Sequence, residues 1–145
     1  MIRFFIATMS TVCCLGCVAA QHEYHNVDRN VLWTAMVAVA NAPEYSNEDF
    51  MKRWVLVEND VVTHADIGKI DVHRIVERTL HLPLQKSQHD RREIMFSVYL
   101  LPTNPPKVEF MSHNTQFLPV RSRDEAERFF SAVESMLQPV IEQVQ

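Results

Sequence analysis

The chain contains only one glycine, Gly68, beyond its first twenty residues. Phosphate-binding loops, dinucleotide-binding turns and the nucleophile elbow of α/β-hydrolases each need several glycines at fixed offsets. These three sites are therefore excluded, and with them the common kinds of nucleotide-dependent chemistry. The three cysteines all lie within the first 17 residues, so neither disulfide bonds nor cysteine-ligated metal centres can stabilise the rest. The fold must be held together by buried apolar side chains.

The first twenty residues have the composition of a secretion signal. One basic residue, Arg3, precedes an uncharged and mostly apolar run over residues 4–16, and small residues follow as far as Ala20. These are the parts of a signal peptide, and the run is shorter than the roughly 20 residues that span a bilayer. We therefore predict a signal peptide over residues 1–20 and a single small α+β domain over residues 21–145.

The sequence of this leader is compatible with either of two processing sites. Cleavage after Ala20 suits a peptidase that requires small residues at the first and third positions before the cut. Residues 15–17, Leu-Gly-Cys, resemble the end of a bacterial lipobox, whose cysteine receives a diacylglyceryl group and becomes the new N-terminus. Cys14 stands where that motif usually has leucine. Because no thiol lies beyond Cys17, we predict lipidation at Cys17, with cleavage after Ala20 as the alternative.

Apolar residues spaced three and four apart predict a helix at each end of the domain. The first extends over residues 27–42 and is ended by Pro43. The second begins at a capping box, in which the Ser122 and Glu125 side chains would satisfy each other's backbone N–H groups. Pro139 ends or kinks this second helix. Its apolar stripe consists of Ala126, Phe129, Phe130, Val133 and Leu137.

Strands are predicted between the helices, where β-branched and aromatic residues alternate with turn-forming segments. The four strands cover residues 54–63, 70–82, 94–101 and 107–111. The second is ambiguous, because residues 70–82 also fit one face of a helix. A turn that contains Gly68 leads directly into it and Pro83 follows it, which favours a strand.

Pairing across the Gly68 turn would bring Val62 opposite Val72 and Asp60 opposite Arg74. Polar residues predict a tether over residues 21–26 and a loop over residues 85–92. The order of elements predicts an α+β fold: a four-stranded antiparallel meander with an N-terminal and a C-terminal helix packed on one face.

The charge of the chain excludes one class of partner. The formal charge is −4, and loss of Arg3 with the leader makes the remaining domain more negative still. An acidic domain without a basic run has no electrostatic attraction to phosphate backbones. We expect no nucleic acid, no nucleotide and no cofactor, and contact with a membrane only through a lipid anchor.

Histidines and carboxylates are the remaining candidates for chemistry. Seven histidines are many for 145 residues, and neutral imidazole is a common metal ligand. His64, His73 and His113 are the residues whose replacement would test for bound metal, although no H-E-x-x-H motif supports a site. The carboxylates near the first hairpin are interpreted as solvated edges: Glu58, Asp60, Asp66 and Asp71. No Ser/His/Asp triad is assigned, because triads are recognised by geometry.

The leader and the final helix, with its Asp-Glu-Ala-Glu-Arg-Phe-Phe segment from Asp124 to Phe130, resemble those of uncharacterised exported lipoproteins of bacteria. The resemblance implies a location in the cell envelope and a protein partner there. Our leading hypothesis is a non-enzymatic protein that acts through protein contacts. The alternatives are a small hydrolase or metal-binding enzyme with a dispersed His/carboxylate site, and a carrier of a small apolar ligand.

Overall fold

The computed structural model describes residues 19–45, 53–80, 84, 86–113 and 119–142. It is an α+β structure with two helices on one face of an antiparallel sheet, as predicted, but the sheet has five strands rather than four. The elements are β1 (Ala19–Glu23), α1 (Arg29–Asn41), β2 (Val55–His64), β3 (Lys69–Leu80), β4 (Gln88–Leu101), β5 (Lys107–Ser112) and α2 (Pro119–Glu142). The strands lie in the order β1-β5-β4-β3-β2. No helix in these ranges is long and apolar enough to cross a membrane.

The prediction of a tether over residues 21–26 is wrong for residues 21–23, because they belong to an additional strand, β1. It pairs antiparallel with β5, so that Ala20 lies opposite Phe110 and His22 opposite Val108. The strand is only five residues long, and its pairing partner is far away along the chain. The hydrogen-bonding edge of β5, rather than strand propensity, therefore determines this element.

Helix α1 confirms the predicted first helix, with bounds within two residues of those expected. The Asp28 carboxylate caps it by accepting hydrogen bonds from the backbone N–H groups of Asn30 and Val31. Such a cap satisfies donors that the helix itself leaves unpaired. The Arg29 guanidinium donates to the carbonyl oxygens of Leu100 and Leu101 at 2.8 and 2.7 Å, which joins the start of α1 to the end of β4.

The register between β2 and β3 differs by one residue from the predicted one. Val61, not Val62, lies opposite Val72, and Asp60 lies opposite His73. Val61 packs against the core, whereas Val62 is 54% exposed. The predicted pair of Asp60 with Arg74 is therefore wrong, because their side chains point to opposite faces of the sheet.

A β-bulge in β2 changes the face of the sheet to which the residues after the bulge point. The register shifts between Leu56, which lies opposite Val76, and Glu58, which lies opposite Ile75. One additional residue in a strand moves every following side chain to the other face. As a result Glu58 and Asp60 both face away from the helices.

The prediction of a strand over residues 70–82 is confirmed by β3, although residues 81–83 lie outside the described ranges. The prediction of a loop over residues 85–92 is wrong from Gln88 onwards, because β4 begins there. This polar part of β4 is stabilised by cross-strand pairs that its own sequence does not reveal. Arg78 and Asp90 approach to 2.6 Å, and Arg91 and Glu77 to 3.3 Å.

Helix α2 begins at Pro119, three residues before the predicted capping box. Ser122 is inside the helix, where its hydroxyl donates to Ser112 Oγ, and Glu125 accepts a hydrogen bond from Tyr45. The backbone also continues past Pro139 to Glu142. The predicted apolar stripe of α2 is confirmed, since all five of its side chains are buried in the core.

Candidate functional site

The helices cover one face of the sheet and leave the other, which we call the open face, to solvent within the part of the chain that the structure describes. Alternation along the strands places polar and titratable side chains there. They form two clusters. The Ser97 cluster comprises Asp71, Ser97, His113, His64 and Lys69, and the His73 cluster comprises Glu58, Asp60, His73 and Glu93.

The Ser97 cluster joins β3, β4, the last residue of β2 and the residue that follows β5. Ser97 is fully buried, and its Oγ lies 2.5 Å from Asp71 Oδ1 and 2.6 Å from His113 Nε2. The second Asp71 carboxylate oxygen lies 2.9 Å from Lys69 Nζ and 3.3 Å from His64 Nε2.

The hydrogen bonds of the Ser97 cluster cross-link neighbouring strands and do not activate the serine as a nucleophile. The Ser97 hydroxyl donates to Asp71, and its oxygen accepts from the protonated Nε2 of His113. In a catalytic triad the carboxylate orients the histidine and the histidine takes the serine proton. Here the carboxylate bonds the serine directly, and Ser97 has no exposed surface for a substrate to approach.

Electrostatics in the Ser97 cluster favour a charged Asp71. Partial burial raises the pKa of the Asp71 carboxyl, but hydrogen bonds from Ser97 and Lys69 and the Lys69 charge outweigh it, and the pKa lies below its usual range. A carboxylate that accepts several hydrogen bonds is stabilised in its ionised form. Asp71 is thus a fixed negative charge that holds together two strands and the end of a third.

The His73 cluster lies beside the Ser97 cluster on the same face. A ring nitrogen of His73 and carboxylate oxygens of Glu58 and Asp60 all lie within 4.8 Å of one another. On the other side, His73 Nε2 lies 2.8 Å from Glu93 Oε1. The cluster therefore draws one imidazole and three carboxylates from β2, β3 and β4.

The three histidines proposed for a metal test separate into two groups. His64 and His113 belong to the Ser97 cluster, whereas His73 has carboxylates as neighbours. The remaining described histidines lie elsewhere: His22 stacks on Phe130, His25 faces Glu23 and His89 faces Thr79. Sequence reasoning missed Ser97 and Glu93, because they belong to β4 and only the sheet register brings them to these clusters.

The edge strand β2 carries three of the six large apolar side chains that are exposed among the described residues. Val55 is 59% exposed, and Val57 and Val62 are each 54% exposed, while Ile67 in the following turn is 62% exposed. Scattered surface valines are ordinary. Three on one strand at the edge of a sheet make that strand unusually apolar, with Glu58 and Asp60 between Val57 and Val62.

A shallow groove of about 380 Å³ lies between the two helices. Its walls are mostly apolar and include Val31, Ala35, Ala38, Met136 and Leu137. Buried small-molecule sites enclose most of their ligand. This groove is open along its length, and it gives the carrier hypothesis no enclosed cavity.

Comparisons with known proteins add little to this geometry. No family model and no curated protein matches the chain. The crystal structure of protein CV1439 from Chromobacterium violaceum is similar with a TM-score of 0.38 and 12% identity, over 81% of this chain and 94% of that one. Similarity at this level transfers neither a family nor a function, so the function must be argued from the residues themselves.

Proposed function

We propose that this protein is a non-enzymatic binding module of the bacterial cell envelope, which takes up an extended segment of a partner protein along β2. The observation that carries the proposal is the outer edge of this strand, with which no other described segment pairs. β2 ends the sheet order and has 10 residues, long for an edge. Natural edge strands are usually short or protected by charge, because their unpaired N–H and C=O groups recruit other strands.

Both kinds of contact that strand addition needs are available at β2. Its outer backbone groups can hydrogen-bond an incoming strand, and the exposed Val55, Val57 and Val62 can pack against apolar side chains. The bulge near Val57 limits indiscriminate association, because it twists the edge.

The charge near this edge indicates the partner's chemistry. Glu58 and Asp60 lie on the open face of β2, and no lysine or arginine in the described ranges forms an ion pair with them. A partner strand with lysine or arginine at alternate positions would place its basic side chains beside these carboxylates. Such complementarity favours register and association rate. We therefore propose a basic, alternating segment as the occupant.

We expect a labelled peptide of alternating valine and lysine to bind, and a peptide with glutamate in place of lysine to fail, by fluorescence anisotropy. Val57→Lys and Val62→Lys should each weaken binding about tenfold or more, since charge on an edge opposes strand addition. Ile67→Lys is the matched control, because Ile67 is equally exposed but belongs to the turn. Hydrogen exchange should slow at β2 amides when the peptide binds. Equal binding by all three variants, or no protection of β2, would refute the proposal.

We further propose that the protein is held in the envelope by lipid on Cys17. Strand β1 supports this choice of processing site. Cleavage after Ala20 would remove Ala19 and Ala20, which pair with Met111 and Phe110, whereas a mature N-terminus at Cys17 retains the whole strand.

Mass spectrometry of the membrane fraction is expected to find a diacylglyceryl-modified Cys17 at the N-terminus. The Cys17→Ala variant should lose this modification and leave the membrane fraction, because a single-residue change removes the only site for the anchor. An unmodified N-terminus at Gln21 in the wild-type protein would contradict lipidation without affecting the argument for β2.

A further inference from the structure

We propose that the charge of His73 regulates strand addition at β2, so that a basic partner binds at neutral pH and binds more weakly when acidification protonates the imidazole. The inference rests on the binding of a basic segment proposed above, and it adds the regulation of that same site. It is drawn from the position of His73 beside Glu58 and Asp60, the two β2 carboxylates that would attract the partner.

His73 belongs to β3, the strand next to the β2 edge. It lies opposite Asp60 in the β2–β3 ladder, and Glu58 lies opposite Ile75, the next residue of β3 on the same face. A ring nitrogen of His73 and carboxylate oxygens of Glu58 and Asp60 all lie within 4.8 Å of one another. The two carboxylates therefore lie between the imidazole and any strand that pairs with the outer edge of β2.

A protonated His73 and a lysine of the partner would be attracted to the same two carboxylates from opposite sides. A strand added at the edge would be two strand spacings, about 10 Å, from β3. This distance exceeds the Debye length of about 8 Å at physiological ionic strength, so direct repulsion between the two cations is largely screened. The contacts with the carboxylates are shorter and less screened. Competition for Glu58 and Asp60 is therefore the main way in which the charge of His73 would weaken binding.

The other charged groups that face His73 come from β4 and from β3 itself. On β4, Glu93 Oε1 lies 2.8 Å from His73 Nε2. A carboxylate can only accept this hydrogen bond, so Nε2 carries a proton in the neutral ring and the second proton is taken up at Nδ1. On β3, Asp71 is two residues away on the same face, where it contacts Lys69 and Ser97. The His73 side chain is 36% exposed, so the imidazole exchanges protons with solvent.

The pH range of this regulation follows from the kinds of side chain involved. Histidine changes its charge between pH 5 and 8, whereas carboxyl groups ordinarily titrate near pH 4 and lysine near pH 10.4. Between pH 7.5 and 5.5 the β2 carboxylates and the partner's lysines thus keep their charges while His73 gains one. Affinity should be highest at the upper end of this range and fall as the pH falls. The competing candidate is His64, the last residue of β2, which lies 3.3 Å from Asp71.

Fluorescence anisotropy with the valine–lysine peptide at pH 7.5 and pH 5.5 tests the regulation. We expect the wild-type protein to bind about fivefold more weakly at pH 5.5, the upper end of the range for exposed charge pairs. His73→Gln should bind with the same affinity at both pH values, whereas His73→Lys, whose charge is permanent, should bind weakly at both. His25→Gln is the matched control, because the His25 side chain is 70% exposed and lies outside the sheet. It should keep the wild-type pH dependence.

Calorimetry in buffers of different ionisation enthalpy provides a second measurement. Peptide binding at pH 6.5 should release protons from the wild-type protein but not from His73→Gln, because coupling between two binding events is reciprocal. Equal wild-type affinity at the two pH values would overturn the regulation and leave strand addition intact, whereas no binding at pH 7.5 would refute both. A pH dependence that is lost in His64→Gln but kept in His73→Gln would also overturn it. Unchanged circular dichroism at both pH values would verify that the variants are folded.

Discussion

Replacing Arg74 with alanine is expected to lower the free energy of unfolding by about 3–5 kcal/mol, the usual cost of removing one partner from a buried ion pair. Arg74 is 2% exposed. Its Nε donates to Asn59 Oδ1 and its Nη2 to the Ala40 carbonyl, each at 2.7 Å. Its Nη1 lies 3.6 Å from a carboxylate oxygen of Glu125. One side chain thus connects β2, β3, α1 and α2, and its loss would leave the mostly buried Glu125, whose side chain is 12% exposed, without its counter-charge.

Urea unfolding followed by circular dichroism would measure this loss. Arg91→Ala is the control, because Arg91 also pairs with a glutamate but is well exposed, and such pairs contribute at most about 1 kcal/mol. If Arg74→Ala cost no more than Arg91→Ala, the buried network would not be holding the helices to the sheet.

Replacing Phe110 with alanine is expected to cost about 3–5 kcal/mol, as is usual for deleting a buried aromatic ring. Phe110 is 1% exposed, and its ring stacks on Phe96 with centroids 4.5 Å apart. It also contacts the rings of Phe129 and Phe130 on α2. Its removal would leave a cavity between the sheet and α2, against a total stability of about 5–15 kcal/mol for a typical domain.

The neighbouring Met111 provides the control for this prediction. It belongs to the same strand but faces the open side of the sheet, where it is only half-buried. Met111→Ala should lower the melting temperature much less than Phe110→Ala. Equal losses in the two variants would mean that the aromatic cluster contributes little beyond strand propensity.

The sequence alone predicted the elements whose signals are local. The spacing of apolar residues located both helices, and alternation with turn residues located the four strands between them in the sequence. An element with one buried face has apolar residues at a regular period. The ends of α2 were missed for a tertiary reason. Ser122 and Glu125, which resemble a capping box, are engaged by Ser112 and Tyr45 instead.

The candidate sites could be predicted only as separate residues. His64, His73 and His113 were identified as histidines of interest, and Glu58, Asp60 and Asp71 as clustered carboxylates, but nothing in their spacing assigns partners. Ser97 and Glu93 became relevant only through the pairing of β3 with β4. A cluster drawn from three strands has no sequence pattern of its own.

The sequence by itself determined the exclusion of glycine-rich and cysteine-dependent sites and the α+β class, and its first twenty residues predict a leader. Each of these depends on composition or on periodicity within one segment. Only the tertiary structure decided the fifth strand, the β2–β3 register and the bulge that directs Glu58 to His73. These features depend on hydrogen bonds and packing between distant segments, and a shift of one residue in such pairing exchanges the two faces of a strand.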